Sequence, residues 1–320
     1  MPYRLRANES VRRGIRRVSA SEIEYAIEQL TNGKDRDEAI HDARKAMKKV
    51  RGALRLVRFD LGKRFQEENA FFGGIGRKLS ELRDATAMLE IFHDLVKHYK
   101  SQLAHDELAF IRQGLEDRKR HFEAEKNIDG VMHEVIDDLR AALLRVGGWP
   151  LHSNGFAAVA PGLSIAFKAG RKAFAAAYEN PAPENFHELR KRAKDHWYHI
   201  RLLENLWTPV MEAYESALKD LEQRLGDDHN LVVLRQLILA DPSHFKNQHE
   251  LQTLSKLMDS YQEELRLDAR NMGERIYGQK PRELVAQIQH LWEAWKHEAE
   301  RTWARRTLPA QTRTAAATPA

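Results

Sequence analysis

Two segments 146 residues apart carry the same run of basic residues, and that repetition constrains the fold more than any other feature of the chain. In HDARKAMKKVRGALRLVR, His41, Arg44, Lys45, Lys48 and Arg55 stand in register with His187, Arg190, Lys191, Lys194 and Arg201 of HELRKRAKDHWYHIRLL. The same offset brings LSELRDATAM (79–88) onto LGDDHNLVVL (225–234), matching Leu79 with Leu225 and Asp84 with Asn230. Two separated segments that share one offset indicate two copies of one folding unit.

Both basic runs have helical periodicity. At about 100° per residue, the five cations of the first copy fall on one arc with Arg51 at its edge, while Ile40, Ala43, Met47, Val50, Leu54 and Val57 lie opposite. The second copy sets Leu189, Ala193, Ile200 and Leu203 against its basic arc. Asp42, Glu188 and Asp195 project to the side. A face that only meets water normally mixes both signs, so a face of one sign predicts an anionic partner. From His to the last Arg each arc covers 14 residue steps, roughly 21 Å of helix, which suits an extended polyanion better than one small metabolite.

The remaining sequence narrows the class. Without cysteine, disulfides, zinc ribbons, iron–sulfur clusters and thiol catalysis are excluded, and a reducing compartment fits. No apolar run approaches the roughly 18 residues of a membrane span, and the basic N-terminal stretch precedes no hydrophobic segment. A cytoplasmic location without membrane association is therefore expected. The formal charge is only +5, but Lys and Arg concentrate in residues 4–17, 44–58 and 168–194.

Helical patterns cover the chain, and strand-like alternation is absent, so the fold class is all-α. Patterns run over about 9–30, the first basic segment, 63–99 with a Gly73-Gly74 and Gly76 interruption, 103–125 and 128–146. GGWP (147–150) marks a boundary. Further patterns cover 163–178, 184–207, 209–240, 245–275 and 282–306. The expected organisation is an N-terminal helical half (1–146), a linker (147–161), a C-terminal helical half (162–306) and a disordered tail (307–320).

The duplicated H-x-x-R-K-x-x-K helix, with LRDA in the first half and LGDDHNLVVL in the second, resembles the conserved histidine α-helical domain (CHAD) family over residues 9–305. The resemblance implies two antiparallel helical bundles related by pseudo-two-fold symmetry, with the basic helices lining a central pore. Family members bind inorganic polyphosphate, and some go to polyphosphate granules. Carried over, the binding residues are His41, Arg44, Lys45, Lys48 and Arg55, and His187, Arg190, Lys191, Lys194 and Arg201. The halves differ where Trp197 replaces Arg51 and Asn230 replaces Asp84. Some relatives add a triphosphate tunnel enzyme with an E-x-E-x-K strand motif. That motif is missing here, so the resemblance implies neither catalysis nor a cofactor.

Arg51 joins the binding set as the edge of the first arc, and Arg13 and Arg17, with Arg12 and Arg16, extend the basic wall. Arg171 and Lys172, beside Lys168, do the same in the second half. For each of these the alternative is ordinary surface charge, and for the two histidines it is helix capping or packing. Asp84 reads as a residue that pairs with Arg83 or a stripe cation to orient it, rather than as a general acid. Asp227, Asp228 and His229 read as a helix N-cap rather than a metal cluster. Trp197, Tyr198 and Trp207 read as core residues rather than base-stacking platforms. A nucleic-acid-binding protein is the competing function, and a phosphohydrolase with a histidine nucleophile ranks below it, having no partner base or Gly-rich phosphate loop.

Overall fold

A computed structural model describes residues 2–104, 106–125, 127–241 and 244–307, the side chains of 83–85, 123, 125, 306 and 307 excepted. The expected tail, from 308 on, lies outside these residues. The helices are α1 (Val11–Asn32), α2 (Arg36–Leu56), a short α3 (Arg58–Leu61), α4 (Lys63–His98), α5 (Ala109–Glu125) and α6 (Ile128–Val146). After a 3-10 turn at Phe156–Ala158 come α7 (Ala160–Glu179), α8 (Pro183–Leu202), α9 (Thr208–Ala240), α10 (Gln248–Ile276) and α11 (Pro281–Thr307). No strand occurs among the described residues, and none of their helices is long and apolar enough to cross a membrane.

Local chemistry sets the helix starts. The Ser10 hydroxyl accepts the Arg13 N–H at the head of α1, and Asp35 accepts the Glu38 N–H at 2.8 Å to start α2. Each oxygen satisfies one of the donors that a helix leaves open at its first turn. Proline occupies the first turn of α7, α8 and α9, where its missing N–H costs nothing. The pattern interrupted at Gly73, Gly74 and Gly76 is a single helix, α4, which continues through all three glycines. The Arg51 guanidinium lies beside Gly73, at an ordinary contact distance of 3.5 Å from where a Cβ would sit.

The apolar face expected for α2 is buried from Ile40 to Val57. It belongs to a core that includes Ile15 and Ile23 of α1, Phe167 of α7, Leu189 and Ile200 of α8, and Trp292 of α11. Residues from both halves of the sequence therefore share one core. A second core joins the far ends of α4 and α9 to α5 and α10. The two long helices pass through both cores with residues related by the 146-residue offset. Phe72, Ile75 and Leu79 of α4 match Leu218, Leu221 and Leu225 of α9 in the first, and Met88 and Phe92 match Leu234 and Ile238 in the second. Each such side chain contributes roughly 1.5–3 kcal/mol on burial.

In the first half α2 packs on α1 and α4, and in the second α8 packs on α7 and α9. The basic helices α2 and α8 also meet directly. They approach closely at Gly52, where a Cβ would lie 2.7 Å from the Cβ of Tyr198.

Candidate anion-binding site between α2 and α8

The meeting of α2 and α8 brings four predicted cations together. Burial holds the Lys48 ammonium well below the usual lysine range, and Lys194, Arg44 and Arg190 push it further down. Lys194 is lowered in turn, first by burial and then by Arg190 and Arg44, against the opposing pull of Glu222. Lys48 and Lys194 occupy equivalent positions of the repeat and are close enough to act on each other. A concentration of half-buried positive charge of this kind stabilises an anion strongly, because little solvent screens it.

One carboxylate enters the cluster. Glu222, on α9, accepts a hydrogen bond from Lys194 Nζ and lies 3.4 Å from Arg190 Nε. Burial pushes its carboxyl up, but Lys194, Arg190 and Lys48 outweigh that and hold it ionised. Gly226, one turn further along α9, lies beside the Arg190 guanidinium, whose Nε is 3.4 Å from the place of a Cβ, an ordinary contact distance.

Further along the two helices the cations are fixed by partners. Arg51 Nε donates to Asn69 Oδ1 of α4 at 3.1 Å. Burial, with Arg55 and Arg77 nearby, pushes its guanidinium down to about 10. At the equivalent place in the second half, Trp197 Nε1 donates to Glu215 Oε1 of α9 at 2.6 Å. Arg55 crosses between the helices to pair with Asp195 at 2.8 Å. Arg201 pairs with Glu215 at 3.5 Å and lies over the rings of Trp197 and Tyr3. Lys49, which falls outside the predicted arc, pairs with Glu22 at 2.9 Å.

Lys45 and Lys191 form the outer edge of the site. Their side chains are 53% and 51% exposed, and each pairs with an acid three residues earlier, Asp42 at 3.6 Å and Glu188 at 2.5 Å. Ion pairs this open contribute little, so both lysines remain available to a ligand. His41 is half-buried on α2. His187 packs against His229 of α9 with ring centroids 4.1 Å apart. Burial, Lys191 and Arg190 lower His187, while burial, His187 and Arg190 push His229 down to about 4. Both imidazoles are therefore neutral at pH 7, and His187 offers a ligand a dipole rather than a charge.

The other predicted cations are placed elsewhere. Arg13 and Arg17 line a groove between α1 and the end of α6, and Arg17 is held by Glu9 at 2.6 Å. Arg171 is half-buried and Lys172 exposed on α7, and neither is among the charges that dominate at Lys48 or Lys194. The N-cap expected at Asp227, Asp228 and His229 is corrected by the structure, since all three lie inside α9. Asp228 is buried against Arg266, with 2.7 Å between Arg266 Nε and its Oδ1. The side chain of Asp84 lies outside the described residues. Tyr198 is buried as expected, whereas Trp207 is 55% exposed.

Sequence reasoning missed Glu222, Asn69, Glu215 and Arg77, and read His229 as part of an N-cap, because the basic runs draw attention to α2 and α8 and these residues come from α4 and α9. The repeat held a signal for one of them. Extending the offset places Glu222 over Gly76, a carboxylate over an empty position.

The fold and the site together define an all-α protein that gathers half-buried cations from two of its helices. The family model of the CHAD domain matches residues 18–239, and the chain belongs to that family. The crystal structure of the CHAD domain from the plant Ricinus communis has a similar fold, with a TM-score of 0.61 and 16% identity over 87% of this chain and 95% of that one. No curated protein matches the chain.

Proposed function

We propose that the protein binds inorganic polyphosphate without catalysing its cleavage, through a basic channel between α2 and α8. The observation that carries this reading is the convergence of Lys48, Lys194, Arg44 and Arg190, cations from two helices, where burial and the neighbouring charges disfavour the protonated forms of both lysines. Polyphosphate carries about one negative charge per internal phosphate, so it engages several closely spaced cations at once. Arginine supplies a bidentate fork and lysine a mobile point charge, and both suit phosphate oxygens. Release of condensed counterions adds a salt-sensitive part of the affinity.

The reading includes a pseudo-two-fold relation between the halves. Its support is the recurrence of contacts at the 146-residue offset. Arg51–Asn69 corresponds to Trp197–Glu215, and Lys45–Asp42 to Lys191–Glu188. Gly52 meets Tyr198, its own equivalent. Under such symmetry a ligand chain runs past Lys45 and Lys191 at the rim and Lys48 and Lys194 inside. Granule association in the cytoplasm is the cellular counterpart of this proposal.

Retention on immobilised long-chain polyphosphate, with single-stranded RNA as competitor at equal phosphate concentration, tests it. The protein should be retained and should resist displacement. Release by RNA at that concentration would favour the nucleic-acid reading, and phosphate appearing during incubation with divalent metals would contradict the non-catalytic one.

A further inference from the structure

The first two turns of α1 present four arginines to a groove of about 520 Å³ against the last turn of α6. None of its lining residues comes from α2 or α8, and none carries a carboxylate. Two of the arginines are pinned. Arg16 Nη2 donates to the Trp149 carbonyl, and Arg17 is held by Glu9 and by the Arg4 carbonyl at 2.7 Å. The other two, Arg12 and Arg13, are exposed. Among the described residues, Arg16 Nε and Arg17 Nη1 are buried without a hydrogen-bond partner.

Charge balance in the groove is one-sided. The first turn of α1 holds no acid that would oppose the positive end of its dipole, and Glu9 is bonded to one of the four guanidiniums, that of Arg17. An anion seated there would relieve the repulsion among them. The facing wall is aliphatic, formed by Leu143 and Val146 with Ala20 beside the arginines. Aliphatic surface does nothing for a bare phosphate, whereas each methylene buried on it raises affinity roughly fourfold.

We propose that this groove is a second anion site, separate from the α2–α8 channel, which takes an alkyl phosphate. The head group is gripped by Arg12 and Arg13 above the fixed Arg16 and Arg17, and the aliphatic body lies along Leu143 and Val146.

Calorimetric titration of the full chain with octyl phosphate, below its micelle concentration, and with inorganic phosphate tests the proposal. Octyl phosphate should bind at least tenfold more tightly than inorganic phosphate. Arg12→Gln with Arg13→Gln should cost at least tenfold, and because both side chains are exposed the melting temperature should stay at the parent value. Lys45→Gln with Lys191→Gln should leave octyl phosphate binding unchanged, whatever it does to polyphosphate. The proposal is overturned if octyl phosphate does not bind, or if it binds no better than inorganic phosphate. It is also overturned if polyphosphate displaces octyl phosphate competitively while the arginine variant weakens both ligands equally, since the arginines would then belong to the polyphosphate path. Failure of polyphosphate to bind at all would defeat the channel reading and leave the octyl phosphate result standing.

Discussion

Glu222 accepts a hydrogen bond from Lys194 at the point where the two basic helices converge. The second half of the protein thus carries its own anion, seated among the cations that the proposed function assigns to phosphate. Its counterpart in the first half is Gly76, where an added Cβ would meet nothing within 4 Å. The two walls are unequal: Glu222 pairs directly with Arg190 and Lys194 of α8, while the equivalent position in the first half is a glycine.

Glu222→Gln should therefore tighten polyphosphate binding, by roughly three- to tenfold, because the ligand no longer competes with a built-in carboxylate. The same change leaves a buried cationic cluster without its counter-ion and should lower the stability of the ligand-free protein by about 2–4 kcal/mol. Saturating polyphosphate should restore most of that loss in a thermal melt. Weaker binding, or a loss of stability that the ligand does not repair, would contradict this role.

Lys48 makes the affinity pH-dependent. Because its protonated form is disfavoured in the free protein, Lys48 gives up its proton at a pH where an ordinary lysine keeps it. A bound polyanion favours the charged form, so affinity should be greatest on the acid side and fall as pH rises through the depressed value. Titrations carried from the acid to the alkaline side should show that fall in the parent below the pH where an ordinary lysine titrates, and a flatter profile in Lys48→Arg, whose guanidinium stays charged.

Acid stability should be limited by two histidines under the site. His196 and His199 are fully buried in α8, and burial pushes each down to about 3. The unfolded chain takes up these protons near pH 6.5 and the folded one does not. Stability is therefore complete above that pH and falls as pH drops toward 3, by up to roughly 1.4 kcal/mol per pH unit for each histidine. Urea unfolding at pH 7, 6, 5 and 4 should reveal the slope, and His199→Phe should reduce it.

Gly52 sets the distance between the basic helices. Gly52→Ala would place a methyl 2.7 Å from Tyr198 Cβ and 3.0 Å from the Tyr3 hydroxyl. The helices must separate to admit it, at a cost of about 1–3 kcal/mol. A melt should register that loss, and an unchanged midpoint would show that α2 and α8 pack less tightly than described.

Much of the helical layout could be read from the periodicity of apolar residues, since that pattern records which face each helix buries. α2 shows it plainly, with Ile40 to Val57 inside and Arg44, Lys48 and Arg55 at its polar edge. The site was only half legible, for a physical reason. Glu222, Glu215 and Asn69 act across helix interfaces, and contacts between residues far apart in sequence leave no local period. In α4 the glycines at 73, 74 and 76 interrupt the pattern without ending the helix, and Gly73 lies beside the Arg51 guanidinium, a contact between residues that no local period records. His229 stood in plain view beside two acids, but only the packing of α9 on α8 sets it against His187.

The salt dependence of polyphosphate affinity tests the central claim most directly. Each lysine that engages a phosphate adds roughly 0.7 to the slope of log affinity against log salt, by analogy with single-stranded nucleic acid. Replacing Lys45, Lys48, Lys191 and Lys194 by glutamine should therefore lower that slope by roughly 3 and remove most binding, in a protein whose helical signal and cooperative melt persist. A folded variant that keeps the parent's slope and affinity would show that polyphosphate does not run between α2 and α8.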